Sequence, residues 1–227
     1  MRELIKNELT GWKVSEVILL IASCAVIAGV SLWWGDTLTG IISAVAGVAC
    51  VVCTGKGKLS AYLFGLINCT LYAYISYKSR YYGETMLNIL YYFPMQFVGF
   101  FVWKKNMDNE THEVKKLRMT VRGRIILVGA IALLTYTYGL ILRSMGDALP
   151  FIDSFTTMAS VITLIISIKM YSEQWMIWLV VDSVSVYMWW VDFVKGNGSV
   201  ATLLMWIVYV ILAVVMYIKW EKEASEE

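Results

Sequence analysis

Eight apolar stretches, each 17–22 residues long, dominate the chain, at roughly 15–34, 37–53, 59–77, 84–103, 124–142, 152–170, 174–192 and 198–219. At about 1.5 Å of rise per residue, a helix of that length matches the ~30 Å hydrocarbon core of a bilayer. No water is available there, so each stretch must satisfy its backbone hydrogen bonds internally, as a helix. An all-α membrane protein with about eight transmembrane helices follows. Composition agrees, with 59% of the 227 residues hydrophobic and 16% charged, against about 25% charged in soluble domains. A net charge of +2 leaves no basic surplus to suggest a nucleic-acid partner.

The breaks between stretches are short: Gly35-Asp36, Gly55-Lys56-Gly57-Lys58, Lys78-Ser79-Arg80, 143–150, Tyr171-Ser172-Glu173 and 195–198. Only 104–123 is a substantial loop, charged and carrying the lone His112, which reads as solvated. The first dozen residues mix charges (Arg2, Glu3, Lys6, Glu8) and read as a solvated tail rather than an amphipathic surface helix. The first stretch is long enough to stay as a span rather than leave as a signal peptide. With eight spans, one side receives fifteen of the nineteen Lys and Arg residues, and the other only Lys78, Arg80, Arg143 and Lys195. The positive-inside rule then places both termini and the 104–123 loop in the cytoplasm of a bacterial inner membrane.

Internal repetition sharpens the organisation. Shifted by 114 positions, 39–77 falls on 153–191, so that Asn68 overlies Asp182 and Phe64 overlies Trp178. Ser43, Ala46 and Cys53 overlie Thr157, Ser160 and Ser167. Two three-helix units separated by one helix lie the same way up, which gives parallel repeats in a 3+1+3 arrangement with an extra N-terminal helix. The expected divisions are 1–36 (tail and extra helix), 37–104 (first repeat), 105–150 (loop and linker helix), 151–221 (second repeat) and 222–227 (tail).

The seventh stretch carries the strongest chemical signal. Trp175, Trp178, Asp182, Ser185 and Trp189 are spaced 3, 4, 3 and 4 apart, on one helical face. Asp182 is the only carboxylate near the middle of a stretch, Glu84 and the others falling near ends. An Asp there costs about 3 kcal/mol on insertion scales, so it faces a cavity or a partner helix. An aromatic pair one turn apart, followed by a carboxylate, suits a flat cationic ring through stacking and cation–π attraction. The plainer alternatives are a structural Asp held by neighbouring helices and an interfacial aromatic belt. Polar stripes recur elsewhere: Phe64, Asn68 and Tyr72; Asn88, Tyr92 and Gln96; Thr202, Trp206 and Tyr209. Each alone could be helix–helix glue; together they suit a polar path.

Other motifs are excluded. Gly55-Lys56-Gly57-Lys58 lacks phosphate-loop spacing. Cys50-x-x-Cys53 has no neighbouring Cys or His and reads as packing, as do Cys24 and Cys69, so neither a metal nor a bound cofactor is expected. A seven-helix photoreceptor would need a Schiff-base Lys midway along its last span, where none stands before Lys219. An enzyme would need a nucleophile–base pair or a second carboxylate beside Asp182. No catalytic site is therefore expected.

The run Tyr62-Leu63-Phe64-Gly65-Leu66-Ile67-Asn68, with Leu71-Tyr72-Ala73-Tyr74, resembles the Pnu family of vitamin transporters. Trp175-x-x-Trp178-x-x-x-Asp182 is similar to the Trp-x-x-Trp-x-x-x-Asn/Asp signature of its nicotinamide riboside members, the PnuC transporters. Over 37–220 the resemblance implies a fold related to the SWEET sugar carriers and a homotrimer. It implies facilitated diffusion of a vitamin made directional by cytoplasmic phosphorylation. Trp175 and Trp178 would then stack on the pyridinium with Asp182 close by, and Asn68, Asn88 and Gln96 would serve the ribose and carboxamide. Phe64, Tyr72, Tyr92 and Ser185 complete the expected substrate wall. Thiamine or another B vitamin, and an ion-coupled carrier using Asp182, remain the alternatives.

Overall fold

The computed structural model describes residues 7–144, 150–196 and 198–226. Arg2, Glu3 and Lys6 of the tail, 145–149 of the fifth break, Asn197 and Glu227 lie outside them. Eight long helices stand among the described residues: α1 (Val14–Trp33), α2 (Leu38–Lys56), α3 (Ser60–Lys78), α4 (Tyr82–Lys105), α5 (Val121–Ser144), α6 (Pro150–Ile168), α7 (Gln174–Val194) and α8 (Val200–Glu226). Seven are long and apolar enough to cross a membrane; α3 is the exception. It has 19 residues, about the same length as its neighbours, but Asn68, Thr70 and Ser76 dilute its hydropathy. Short turns tie it at both ends to spanning helices, so it must run the same depth. Helix α8 continues to Glu226 through residues expected to be tail.

Side-chain chemistry fixes the helix ends. Thr37 caps α2 by accepting from the Gly40 N–H at 3.1 Å, and Gly57 closes α2 in the left-handed conformation at φ 82°. Asp36 Oδ2 accepts from Ser199 Oγ at 2.9 Å and from the Ala201 N–H at 2.8 Å, pinning the start of α8 beside the start of α2. In α4, Pro94 has no N–H to donate and its ring crowds the carbonyl one turn back. The helix widens into a π segment, Leu87–Tyr92, and the Phe93 N–H bonds to the Asn88 carbonyl.

Helices α2, α3, α4, α6, α7 and α8 pack in sequence around a closed ring, while α1 leans on α2 and α8 from outside and α5 leans on α6. Both outer helices present apolar side chains outward, Ile21 at 62% exposed and Ile126 at 70%. That surface faces lipid.

One end of the ring is laced shut by charge. Lys56 lies 3.0 Å from both Glu16 and Glu113; Lys116 bridges Glu113 (2.9 Å) and Glu223 (3.2 Å); Arg118 meets Glu221 at 2.7 Å and Arg124 meets Glu173 at 2.8 Å. The charged 104–123 loop forms a strap across this end. The Val114 N–H donates to the Gly57 carbonyl (3.1 Å), the Leu117 N–H to the Met170 carbonyl (2.9 Å), and the Ser172 N–H to the Leu117 carbonyl (2.8 Å). Glu8 is tied down as well: its carboxylate accepts from the Leu59 and Ser60 N–H groups at 3.3 and 2.9 Å, capping α3. Burial pushes the Glu113 carboxyl up, but its hydrogen bonds to Lys116 and Lys56 outweigh burial and hold it below the ordinary value.

Candidate functional site

A cavity of about 160 Å³ opens inside the ring, walled by all six of its helices. Helix α7 supplies Trp175, Trp178, Asp182 and Ser185 from the face that the 3-4-3 spacing defines. Asp182 is 4% exposed, and among the described residues its carboxylate has neither a hydrogen-bond donor nor a cation. A structural Asp would show such bonds, so its carboxylate answers to the cavity. The Trp175 Nε1–H is likewise buried without an acceptor. Trp175 packs edge-on to the fully buried Trp220, ring centroids 5.7 Å apart. Trp178 lies 6.4 Å from the ring of Tyr92, across the cavity on α4. Ser185 returns its hydroxyl to the Val181 carbonyl at 3.1 Å. Trp189, last on this face, is outside the cavity and donates to the Tyr72 hydroxyl at 2.9 Å, holding that ring at the cavity edge.

Helix α4 supplies Asn88, Tyr92 and Gln96, and the π segment explains how one face can hold all three. Eight residues of regular α-helix turn about 800°, which would leave Asn88 and Gln96 about 80° apart. The π segment absorbs one residue, so the interval behaves like about seven and the two lie about 20° apart. Gln96 approaches α3 where that helix has Gly65; a methyl group there would collide with the Gln96 carbonyl oxygen. On α3, Asn68 donates to the Ser43 carbonyl at 2.9 Å and stands 3.5 Å from the Met205 sulfur.

Nine of the ten expected wall residues therefore meet around one cavity: Trp175, Trp178, Asp182, Gln96, Asn68, Asn88, Tyr72, Tyr92 and Ser185. Phe64 is half-buried and is not among the lining residues. The expectation that no second carboxylate stands near Asp182 is corrected: Glu84 lines the same cavity. Its position near a helix end concealed it, although it extends the Asn88, Tyr92, Gln96 stripe one step of four backward. Like Asp182, its carboxylate has no donor or cation partner among the described residues. Trp206 and Tyr209, from the eighth stretch's stripe, complete the aromatic wall, their rings 5.3 Å apart and Trp206 5.8 Å from Tyr72. Among the described residues, no Lys, Arg or His lines the cavity.

The sequence profile described as "Nicotinamide mononucleotide transporter" matches residues 37–222. The chain belongs to this family. Among similar proteins, the "Nicotinamide riboside transporter PnuC" of Neisseria mucosa is 41% identical over 223 residues, covering 96% of this chain and 85% of that one. Its namesake in Haemophilus influenzae is 31% identical over 221 residues, covering 96% and 95%. A solved structure described as "Crystal structure of the Vitamin B3 transporter PnuC" superposes with a TM-score of 0.89 at 39% identity, covering 99% of this chain and 98% of that one. This membrane-transporter family thus accounts for both the helical ring and a polar cavity enclosed within it.

Proposed function

We propose that this family member carries a phosphate-free cationic vitamin, nicotinamide riboside, across the bacterial inner membrane by facilitated diffusion. The observation that carries the reading is the charge of the cavity: among the described residues, two unpaired carboxylates, Asp182 and Glu84, and no basic lining residue. A pyridinium is attracted to such a wall. A phosphate is repelled by it, with like charges brought together in a desolvated site costing several kcal/mol. The family's description names a mononucleotide and the curated relatives a riboside; the cavity chemistry favours the riboside. The same repulsion would keep a cytoplasmically phosphorylated product from returning.

In this reading Trp175 and Trp178 flank the pyridinium, and Asp182 neutralises it. Asn68, Asn88 and Gln96 hydrogen-bond the ribose and carboxamide. The strapped, ion-paired end and both termini are cytoplasmic, as the charge bias demands, and the unit is a homotrimer. The test is equilibrium binding of labelled riboside to purified protein, competed with nicotinamide mononucleotide and with thiamine. Riboside should win over the mononucleotide by about 100-fold, the scale of one charge repulsion. Equal or tighter binding of the mononucleotide would overturn the reading.

Glu84 favours a second reading, an ion-coupled carrier, because a single cationic substrate leaves one of two carboxylates unbalanced. Uptake into kinase-free liposomes separates the two. Facilitated diffusion equilibrates, whereas coupling gives accumulation in a proton or sodium gradient.

A further inference from the structure

A second hollow, about 420 Å³, lies between α3 and α4 on the ring's outer surface. Thr70, Ala73 and Tyr77 of α3 form one wall, and Thr85, Ile89 and Phe93 of α4 the other. Tyr77, Ile89 and Phe93 are 58%, 54% and 40% exposed, on a surface that meets acyl chains rather than water. From Thr70 to Tyr77 the slot runs about 10 Å along the helix axis. Its walls offer little hydrogen bonding, since the Thr70 hydroxyl is already returned to the Leu66 carbonyl at 2.8 Å and the Thr85 hydroxyl to the Tyr81 carbonyl at 3.0 Å.

The mouth of the slot has the opposite character. There α3 ends on Lys78, followed by Arg80 at φ 62°, and both side chains are exposed. The Lys78 Nζ sits 5.7 Å over the Tyr74 ring, which also lines the slot. Neither cation has a carboxylate partner among the described residues, whereas Lys56, Lys116, Arg118 and Arg124 at the opposite end are all paired. An apolar slot entered past two unpaired cations, at the depth where a span ends, matches a phospholipid with a net negative headgroup.

We propose that the α3–α4 slot is a binding site for an anionic phospholipid, with its phosphate at Lys78 and Arg80 and an acyl chain between Thr70 and Phe93. The slot also touches function. Asn88 is 3% exposed and borders both this slot and the central cavity, and the slot's wall includes the π segment that orients Asn88. A chain in the slot braces that segment from behind. The proposal does not depend on which vitamin is carried.

The test uses the full chain in lipid nanodiscs carrying a trace of photoactivatable phosphatidylglycerol or photoactivatable phosphatidylcholine, with adducts mapped by mass spectrometry. In wild type, phosphatidylglycerol should label the slot residues well above phosphatidylcholine. Lys78→Gln with Arg80→Gln should reduce that preference by about thirtyfold, the scale set by two basic residues near a membrane surface. Thr70→Phe, a substitution at an exposed position, should fill the slot and suppress labelling by both lipids. Equal labelling by the two lipids in wild type, or labelling unchanged in both variants, would overturn the proposal. So would an Ile89→Cys chain that oxidises to a disulfide-linked dimer while the slot takes no lipid label, because the occupant would then be a second copy.

Discussion

Replacing Asp182 with Asn should move stability and affinity in opposite directions, and the signs follow from the carboxylate's surroundings. It is 4% exposed, lies midway along α7 and has no donor among the described residues. The empty protein therefore bears a desolvation cost that insertion scales put at about 3 kcal/mol. Asn keeps the shape and sheds the charge, so Asp182→Asn should raise the unfolding temperature of the empty protein, by a free-energy gain of order 1 kcal/mol. The riboside's quaternary ring nitrogen carries no N–H, so Asn removes a charge–charge attraction of about 3 kcal/mol for unit charges ~6 Å apart at an effective dielectric constant of ~20. That loss weakens binding about 100-fold. Asp182→Leu should gain stability as well but lose another ~1–3 kcal/mol of affinity, since it leaves the substrate's polar groups unpaired. The assay pairs thermal unfolding in detergent with equilibrium binding of labelled riboside, all on the same preparations. If Asp182→Asn lowers the unfolding temperature and leaves affinity unchanged, Asp182 is a structural residue and the argument from its isolation fails.

Trp178→Ala should weaken riboside binding by about 1–3 kcal/mol through lost area and cation–π attraction, while the 90%-exposed Trp33→Ala binds normally; equal losses at both would signal a folding defect. Trp175→Ala and Trp220→Ala should each also destabilise the fold, by about 3–5 kcal/mol, because these rings are 3% and 0% exposed and pack on each other; unfolding temperatures measure this, and an unchanged value in either would contradict the packing. The depressed Glu113 carboxyl stabilises the strap above the ordinary carboxylate value of 4.5, a contribution lost as pH falls through its lower native value. The unfolding temperature should therefore drop on acidification below about pH 4.5, less steeply in Glu113→Gln, and matching profiles for the two proteins would refute the pairing. In kinase-free liposomes wild type should equilibrate the riboside without accumulating it; uphill uptake in a proton or sodium gradient, abolished by Glu84→Gln or Asp182→Asn, would favour coupling.

The sequence was most legible where a residue's neighbours along the chain decide its environment. Apolar runs of bilayer length gave eight helices, and the 3-4-3 spacing of α7 put Trp175, Trp178, Asp182 and Ser185 on one wall of one cavity. The offset of 114 set Asn68 over Asp182, and the two line that same cavity from α3 and α7. What was hidden depends on partners distant in the chain. Glu84 looked peripheral because depth within a helix was judged by distance from its end, whereas access to a cavity depends on how the neighbouring helices lean. Phe64 shares the Asn68 stripe but not its exposure to the cavity. The first dozen residues looked solvated, and the charged loop gave no sign of a strap, because a Lys or Glu reads as polar until its counter-charge is located. For Lys56 that counter-charge is Glu16 and Glu113, and for Glu8 it is two backbone N–H groups more than fifty residues away.

The π segment of α4 has a consequence for how this helix tolerates change. Deleting one residue from a regular spanning helix turns everything beyond it by about 100°, which swings a substrate-facing stripe toward lipid. Between Leu87 and Tyr92 the helix already holds one residue more than an α-helix would use. Removal of Leu90, which is 66% exposed to lipid, lets the segment tighten into α-helix while Asn88 and Gln96 keep their facing. A deletion scan along α4 should therefore find a narrow window of survival at 87–92, bordered on both sides by loss of transport. Chains with one residue fewer in this stretch should be found among functioning carriers built on this ring.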